Sequence, residues 1–325
     1  MTKAVRVHAY GGPEALRWED VPVGAPGEGE VRIRQTAIGL NFIDVYQRTG
    51  LYPQPSLPFI PGNEGAGVVQ AVGPGVSEFK PGDRVAYAMA AGAYAEARLV
   101  PADRLVPLPH AIPDEVAAAI MLKGMTAWYL LRRTYKVARG TTLLFHAAAG
   151  GVGLIACQWA AALGATVIGT VGSPEKAALA PANGCTHIIN YREEDFVRAV
   201  KRLTGGEGVD VVYDSVGKDT FPGSLDCLKP LGMWVSFGQS SGPVPEFKIT
   251  LLSQKGSLYA TRPSLAHYTA KRADLLEAAR ELFDMVSSGK VKVSVNQTYG
   301  LADAARAHRD LETRATTGST VLVVS

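Results

Sequence analysis

Residues 141–172 (TTLLFHAAAGGVGLIACQWAAALGATVIGTVG) constrain the fold of this chain more than any other stretch. Residues 142–146 form a short apolar run that is typical of a strand buried on both faces. A turn of small residues follows, and residues 154–163 then favour a helix that ends at Gly164. Residues 166–170 form a second apolar run. The order strand, glycine turn, helix, strand predicts the opening unit of a dinucleotide-binding fold.

The turn contains the groups that hold a pyrophosphate. Glycine has no Cβ, so the backbone can approach a phosphate closely, and the free amides at a helix N-terminus attract an anion. Against the pattern G-x-G-x-x-G, Ala148 replaces the first glycine. A buried helix with a glycine kink is an alternative, whereas a transmembrane span is disfavoured because the turn interrupts the apolar run. We predict that the pyrophosphate of a dinucleotide contacts Ala149, Gly150, Gly151, Val152 and Gly153.

The composition fits a globular protein of two domains, since 325 residues exceed the usual size of one domain. Hydrophobic residues make up 47% of the chain, and the net charge is only +3 with no long run of Lys or Arg, which argues against a nucleic-acid partner. The sequence contains neither a signal-peptide pattern nor an apolar helix pattern of membrane-spanning length. Three scattered cysteines, Cys157, Cys185 and Cys227, are expected to be reduced and buried, so we predict a cytoplasmic protein.

Two patterns divide the chain. Residues 1–110 are rich in Gly and Pro and contain short alternating runs, which predicts a β-rich, barrel-like domain. Between residues 142 and 261 apolar strands alternate with helices, which predicts a doubly wound parallel α/β sheet. We expect one helix after Pro113, a second near Thr126, and a helix broken near Pro181. The last strand is expected to return to the first domain, so that residues 1–122 and 263–325 form one domain and residues 123–262 the other.

Seven motifs point together to one family: GLNFIDVY (39–46), PGNEGAG (61–67), KGMTA (123–127), AAAGGVG (147–153), NYR (190–192), YDSVG (213–217) and RATTG (314–318). They resemble those of the medium-chain dehydrogenase/reductase superfamily and, within it, the zinc-free NADPH:quinone oxidoreductases related to zeta-crystallin. The resemblance covers essentially the whole chain. It implies a GroES-like catalytic domain and a Rossmann domain, with NADPH in the cleft between them. It also implies a quinone substrate and a homodimer.

The sequence departs from the zinc-dependent relatives at the metal ligands. Those relatives have a Cys where this chain has Asn41 and a His where it has Asn63, and they carry four closely spaced cysteines for a second zinc. Residues 1–156 of this chain contain no cysteine. Because thiolates and imidazoles are the usual ligands of Zn²⁺, we predict no metal. A reaction that only delivers hydride to an electron-poor acceptor does not need a Lewis acid.

The end of the second strand predicts NADPH rather than NADH. An NAD site usually carries Asp or Glu about 20 residues after the glycine turn, and this chain has GTVGS there, with Glu175 beyond the strand. Gly172, Ser173 and Lys176 instead suit a 2′-phosphate, which favours cations and hydroxyl donors. The resemblance adds Tyr191 and Arg314 to that phosphate site. The alternative for Lys176 is an ordinary solvated lysine.

The remaining site residues follow from the resemblance and from the strand ends. The resemblance implies that Asn41, Asp44, Tyr46 and Tyr52 are catalytic, and that Asn41, Tyr46 and Thr126 also contact the cofactor near its nicotinamide. Tyr46 and Tyr52 could instead be ordinary packing under a Pro-rich loop. His146 is interpreted as a hydrogen-bonded core histidine. Because ligands bind at the carboxyl ends of parallel strands, we add to the cofactor site Ser215, Phe237, Gly238, Ser240, Ala260, Thr261 and Arg262.

The resulting hypothesis is a metal-free, NADPH-dependent reduction of quinones. One alternative within enzymes is NADPH-dependent reduction of α,β-unsaturated carbonyl compounds, because one fold can host both reactions. A non-enzymatic alternative is RNA binding or a crystallin-like structural role, which the resemblance to zeta-crystallin relatives raises. No basic stripe with interleaved aromatic residues supports RNA binding.

Overall fold

The structure is a computed structural model that describes residues 1–179, 183–313 and 315–324. Strands are numbered in chain order as β1 (Thr2–Val7), β2 (Leu16–Val21), β3 (Glu30–Leu40), β4 (Glu64–Val72), β5 (Arg84–Ala88), β6 (Ala97–Pro101), β7 (Leu105–Pro107), β8 (Thr142–Phe145), β9 (Thr166–Val171), β10 (His187–Asn190), β11 (Val209–Asp214), β12 (Leu228–Ser236), β13 (Tyr259–Thr261), β14 (Val295–Gly300) and β15 (Ser319–Val323). Helices are numbered likewise as α1 (Phe42–Thr49), α2 (Asp114–Trp128), α3 (Gly151–Ala162), α4 (Pro174–Leu179), α5 (Phe196–Leu203), α6 (Gly223–Asp226), α7 (Thr250–Gln254), α8 (Leu265–Tyr268), α9 (Arg272–Ser287) and α10 (Ala304–Glu312). The chain forms two compact units, one of residues 1–125, 269–287 and 293–325 and one of residues 126–268 and 288–292.

The first unit is built on a mostly antiparallel sheet. Its strands follow the order β14-β15-β3-β4-β5-β7, with β6 also paired to β3, while β1 and β2 form a separate antiparallel pair. Residues on β3 alternate between the core and the other face, so that Val31 and Ile33 are fully buried. The late strand β15 pairs with β3 in the register Thr320 to Leu40. This pairing makes the sheet discontinuous in sequence, because its middle strand and one neighbour come from distant parts of the chain.

The second unit is a six-stranded sheet in the order β10-β9-β8-β11-β12-β13, and every pair of neighbours in it is parallel. Strand order therefore reverses between β8 and β11. In doubly wound sheets ligands bind at the carboxyl ends of the strands at such a switch point. The prediction of a doubly wound parallel sheet is confirmed, and so is the strand–turn–helix–strand unit that opens it.

Two element predictions need correction. The helix after Pro113 does not stop before a second helix at Thr126; α2 runs through that residue to Trp128 and continues as one wider turn of π-helix, Tyr129–Thr134. No proline interrupts the segment, and its Ala-, Met- and Leu-rich residues are nearly all buried, so packing keeps the helix continuous. The second correction concerns residues 225–228, which the sequence assigns to a helix: α6 ends at Asp226, and Leu228 begins β12. The break expected near Pro181 lies outside the described residues.

Helices of membrane-spanning length and apolarity are not found in the described parts of the chain. Its three cysteines are free and buried, as expected from their positions in apolar segments. Aliphatic and aromatic side chains fill the core of the second unit, where Trp234 packs with Phe221 and Phe247. The core of the second unit holds its strand ends in place, and these strand ends carry most of the predicted cofactor residues.

Candidate active site

The turn between β8 and α3 is a tightly folded backbone cradle. Ala147 adopts a left-handed conformation with φ of 55°, and Gly150 donates its amide to the Ala147 carbonyl at 2.9 Å. A Cβ on Gly153 would lie 2.5 Å from the Ala147 carbonyl oxygen and 2.6 Å from that of Ala148, so no larger residue fits there. The first amides of α3 lack carbonyl partners one turn earlier, as at any helix start. This turn fits the pyrophosphate of a dinucleotide, because it offers free N–H groups on a backbone without obstructing side chains.

The ends of β9 and β10 bring together the described residues of the predicted phosphate site. The Tyr191 amide donates to the Val171 carbonyl at 3.1 Å, which places Tyr191 beside the end of β9. A Cβ on Gly172 would lie 2.3 Å from the Tyr191 hydroxyl, so a larger residue here would displace the Tyr191 ring. Ser173 accepts a hydrogen bond from the Lys176 amide at 3.3 Å and so begins α4. Arg314, predicted for the same site, lies outside the described residues.

One acidic side chain lies close to this group. The Glu175 carboxylate accepts a hydrogen bond from the Ser173 hydroxyl, and that hydrogen bond lowers the pKa of Glu175. Glu175 belongs to the first turn of α4, where the positive end of the helix dipole stabilises a carboxylate. It follows β9 by several residues, so the position that usually binds the ribose hydroxyls of NAD carries no acid. The residues of this strand end are therefore compatible with a 2′-phosphate.

A buried aspartate organises the loop after β11. Asp214 Oδ1 accepts the amides of Val216 and Gly217 at 2.9 and 3.1 Å, which curls the chain directly after the strand. Ser215 lies in this turn, and its carbonyl accepts the Ser240 amide at 3.1 Å. The Asp214 carboxylate also accepts hydrogen bonds from Thr220, Ser224 and Trp234.

The loop after β12 approaches the same turn. A Cβ on Gly238 would lie 2.6 Å from the Ser215 carbonyl oxygen, and the Phe237 ring packs against Phe145 with centroids 5.7 Å apart. The Arg262 guanidinium donates from Nη1 to the carbonyls of Ser236 and Gly238, each at 2.9 Å. Ser215, Phe237, Gly238, Ser240 and Arg262 therefore form one group at the carboxyl ends of β11 and β12.

Three further predicted residues are placed by their elements. Ala260 and Thr261 lie on the edge strand β13, and Thr126 is buried within α2. His146 follows β8 and is fully enclosed between Thr170 Oγ1 at 3.0 Å and Ser224 Oγ at 3.1 Å. Burial lowers its pKa, so it is a neutral core histidine as the sequence predicted.

In the first unit, Asn41 is part of a buried ionic network. Its side-chain Nδ2 donates to Glu64 Oε1 at 2.6 Å, and the same oxygen accepts from Lys123 Nζ at 2.9 Å. The second Glu64 oxygen accepts the Leu122 amide at 2.6 Å, and Lys123 also donates to the Leu40 carbonyl at 3.2 Å. Every hydrogen-bonding group of Glu64 is thereby used, which is what a fully buried carboxylate requires. The network fixes the orientation of the Asn41 amide.

Asp44 lies in the first turn of α1 and has no exposed surface. Its Oδ2 accepts the Asn41 amide at 2.9 Å and the Tyr94 hydroxyl at 3.1 Å, and its Oδ1 accepts Asn63 Nδ2 at 2.8 Å. Burial raises the pKa of Asp44 to about 7, although these hydrogen bonds oppose the rise. A side chain enclosed in this way holds the start of α1 in place, and a catalytic role for Asp44 stays a prediction.

Tyr46 and Tyr52 form an aromatic pair after this helix start. Their rings meet edge to face with centroids 5.2 Å apart, and the Tyr52 amide donates to the Tyr46 carbonyl at 3.0 Å. Both side chains are half-exposed. Phe42 packs against Tyr46 from the preceding turn. The pair therefore offers a partly exposed aromatic surface, to which Asn41 is linked through α1.

Sequence reasoning missed most of the buried residues that support Asn41 and Asp44. Glu64 and Lys123 lay within recognised motifs, and a charged residue inside an apolar motif is the signal that could have identified them. Tyr94 and His308 gave no such signal because they are distant in sequence from Asn41 and Asp44. His308 Nε2 and the Tyr94 hydroxyl are hydrogen-bonded at 3.0 Å, and Arg48 Nη1 donates to His308 Nδ1 at 3.4 Å.

Metal ligands are not clustered in the described residues, since no group of three or more His, Cys, Asp or Glu side chains is close enough to hold an ion. Asn41 and Asn63 instead hydrogen-bond to Glu64 and Asp44. Amide groups are poor zinc ligands compared with thiolate and imidazole. The absence of a metal stays a prediction.

Comparison with known proteins identifies the family. A family model described as "Alcohol dehydrogenase GroES-like domain" matches residues 27–110, and one described as "Zinc-binding dehydrogenase" matches residues 151–288. A quinone oxidoreductase from Pseudomonas aeruginosa is 55% identical over 324 residues, which is 99% of this chain and 100% of that protein. The chain belongs to the quinone oxidoreductase family of medium-chain dehydrogenases/reductases. The predicted resemblance and both predicted fold classes, Rossmann and GroES-like, are confirmed.

Members of the quinone oxidoreductase family with solved structures have the same fold. The Escherichia coli quinone oxidoreductase, solved in complex with NADPH, is 53% identical and superposes with a TM-score of 0.97, with 99% of each chain covered. A 2-haloacrylate reductase from a Burkholderia species is 48% identical over 331 residues, with 99% of both chains covered. Reductases with two different names are thus closely similar to this chain.

Proposed function

We propose that this protein catalyses the NADPH-dependent reduction of quinones without a metal ion. The observation that carries the proposal is the similarity over the whole chain to quinone oxidoreductases, one of them solved with NADPH. The glycine turn after β8 supports it, because that turn has the close backbone packing and free amides that a pyrophosphate needs.

The residues of the chain would act mainly by binding and positioning. We assign the pyrophosphate to the turn formed by Ala149, Gly150, Gly151, Val152 and Gly153, and the 2′-phosphate to Ser173, Lys176, Tyr191 and Arg314. Bound NADPH would supply the hydride. Asn41 would orient the nicotinamide through its fixed amide, and Tyr46 and Tyr52 would stack on a flat quinone ring.

The other assigned residues belong to the nicotinamide end of the cofactor. Thr126, Ser215, Phe237, Gly238, Ser240, Ala260, Thr261 and Arg262 are proposed to contact it. Their support is their position at the ends of β11 to β13 or, for Thr126, its motif. The roles of all these residues remain proposals until variants are measured.

The runner-up activity is reduction of an α,β-unsaturated carboxylate or carbonyl compound. Its support is the close similarity to a 2-haloacrylate reductase. Both reactions add hydride to an electron-poor acceptor, so they share the cofactor site and differ only in the acceptor. Initial rates with 1,4-benzoquinone, 2-chloroacrylate and a simple enone, each with NADPH, separate the two, and turnover of chloroacrylate alone would replace the quinone proposal.

The experiment that tests the cofactor assignment is a fluorescence titration with NADPH and NADH. We expect the wild type to bind NADPH more tightly and Lys176→Ala to lose about fivefold in NADPH affinity, since a phosphate contact with a half-buried lysine contributes about 1 kcal/mol. Affinity for NADH should not change. Lys136→Ala is the control, because Lys136 is an exposed lysine of the same unit in a different loop.

Two results would contradict the assignment. Equal affinity for both cofactors, or an unchanged Lys176→Ala variant, would remove the phosphate site from the end of β9. Failure to bind either cofactor would argue against any NADPH-dependent reduction.

We further propose a cytoplasmic homodimer. Edge strand β13 supports the dimer, because Tyr259 on it is 59% exposed and Leu231 nearby in the paired strand is 66% exposed. The three reduced, buried cysteines support the cytoplasm. Sedimentation equilibrium tests the dimer: a single species of one-chain mass at micromolar concentration would refute it.

A further inference from the structure

The hydrogen bonds around Asp44 all run in one direction. The Asn41 amide, the Tyr94 hydroxyl and the Asn63 amide each donate to its carboxyl group. None of these neighbours offers Asp44 an acceptor. All three hydrogen bonds can therefore form only when Asp44 is ionised, and a proton on either carboxyl oxygen would displace a donor.

The direction of these bonds is fixed from farther away. A guanidinium has donors only, so Arg48 Nη1 donates to His308 Nδ1, and the His308 proton must then lie on Nε2. His308 Nε2–H donates to the Tyr94 oxygen, which leaves the Tyr94 hydroxyl proton only Asp44 as acceptor. Two bonds to Glu312, at 2.7 and 2.9 Å, hold Arg48 in place. The chain of bonds cannot reverse unless His308 changes its tautomer against Arg48.

We propose that Asp44 is a positioning residue whose carboxylate fixes the first turn of α1, and with it Asn41 and Tyr46, and whose protonation loosens that turn. This inference rests on the proposed function, in which Asn41 and Tyr46 contact the nicotinamide and the quinone. Asp44 itself touches neither ligand. The expected consequence is a loss of reductase activity on the acid side of neutrality.

The other charged groups around Asp44 are ion-paired, and its buried histidine and tyrosine neighbours stay neutral. Glu64 from β4 is paired with Lys123, and Arg48 is paired with Glu312. Burial lowers the pKa of His308 to about 3 and raises those of Tyr87 and Tyr94, so all three stay neutral. Asp44, with its pKa raised by burial to about 7, is the group of this cluster that titrates near neutral pH.

The test compares two buried tyrosines of the same unit. Tyr94→Phe removes a donor from Asp44, whereas Tyr87→Phe removes a hydroxyl that donates to Gln35 and makes no hydrogen bond to Asp44. We expect the acid limb of the kcat/KM profile for quinone reduction to move up by about one pH unit in Tyr94→Phe. The reason is that loss of one hydrogen bond to the Asp44 carboxylate raises its pKa by about one unit. The limb should stay in place in Tyr87→Phe.

A second measurement needs neither cofactor nor substrate. The amide resonance of Asn41, followed by NMR in the apoprotein from pH 5 to pH 9, should shift with a midpoint near pH 7 in the wild type, because this amide donates to Asp44 Oδ2. Asp44→Asn has no carboxyl proton to gain or lose, so the shift should be absent in that variant. This variant also keeps the test open if Tyr94→Phe does not fold.

Three outcomes overturn the proposal: equal acid limbs for the two tyrosine variants, an Asn41 amide resonance that does not shift between pH 5 and pH 9 in the wild type, or the wild-type shift retained in Asp44→Asn. Failure of the proposed function is distinguishable. A wild type that turns over no quinone but shows the shift of the Asn41 amide would refute the activity and keep the role of Asp44 in α1.

Discussion

The turn before α3 and the turn before α1 both position the start of a helix, but different kinds of groups stabilise them. Each directly follows a strand, β8 or β3, and each begins a helix that carries proposed site residues. The α3 turn is made of backbone and small side chains, with Gly153 in contact with the carbonyls of the turn itself. The α1 turn is made of buried ionic and polar side chains around Asn41 and Asp44. The first should hold its ligand independently of pH, whereas the second depends on charge.

The largest effect is expected where the ionic network around α1 is broken. Lys123→Met leaves the fully buried Glu64 carboxylate without its cation, which should cost about 3–5 kcal/mol in the free energy of unfolding. Urea unfolding measures it. The double variant Glu64→Gln/Lys123→Met removes the uncompensated charge and should recover part of the loss. If the double variant is as unstable as the single one, packing and not charge holds this turn.

A smaller effect is expected at the glycine turn. Gly153→Ala forces a Cβ against two carbonyl oxygens, 2.5 and 2.6 Å away, and backbone cannot yield as a flexible side chain can. We expect a loss of about 1–3 kcal/mol in stability, together with weaker NADPH binding at every pH tested. Gly24→Ala is the control, because no atom lies within 4 Å of a Cβ there. A pH-dependent loss of NADPH affinity in Gly153→Ala would contradict the contrast between the two turns.

The smallest effect concerns the pH dependence of stability. The pKa of Asp44 is about 7 in the fold against 3.8 for the free side chain, so between these values the folded state keeps a proton that the unfolded state has lost. Its contribution to stability is therefore present below about pH 4 and is lost as the pH rises through 7. Wild type should lose up to about 1.4 kcal/mol per pH unit relative to Asp44→Asn in this window.

The measurement is urea unfolding of both proteins at pH 5, 6, 7 and 8. His308 has the opposite dependence, since its pKa of about 3 lies below the free value of 6.5, and its contribution is lost as the pH falls below 6.5. It is present in both proteins, so its contribution cancels in the difference. A stability difference that stays constant from pH 5 to pH 8 would show that Asp44 does not titrate in this range. The proton that stabilises the fold is thus the one expected to impair the site.

The contrast also explains what the sequence could and could not predict. The cofactor turn follows from local pattern, because the strand, Gly150, Gly153 and the helix are adjacent in the chain. Tyr191 also lies beside the end of β9, since neighbouring parallel strands end at one edge, while the role of Ser173, Lys176 and Tyr191 at a phosphate stays a prediction. Thr126 misled the helix prediction because burial, and not a local signal, keeps α2 continuous.

The residues that stabilise the start of α1 could not be predicted from the local sequence. Tyr94 contacts Asp44 from 50 residues away and His308 contacts Tyr94 from 214 residues away, and nothing in their own neighbourhoods indicates this. Asp44 was predicted to be catalytic from its motif, and its enclosure became visible only in the fold. Residues whose roles depend on long-range burial of polar groups are the ones that a single sequence does not reveal.

The pairing of β15 with β3 affects the order in which the two units can fold during synthesis. During synthesis β3 emerges early and β15 late, so the middle of the first sheet lacks one neighbour until most of the chain has left the ribosome. The parallel sheet of the second unit is contiguous in sequence and can close before that. The bond from Arg48 to Glu312 likewise forms only at the end. The order of synthesis therefore favours a nascent chain in which the cofactor turn is already folded. At that stage the start of α1, with Asn41 and Tyr46, has not yet formed its contacts with the C-terminal residues.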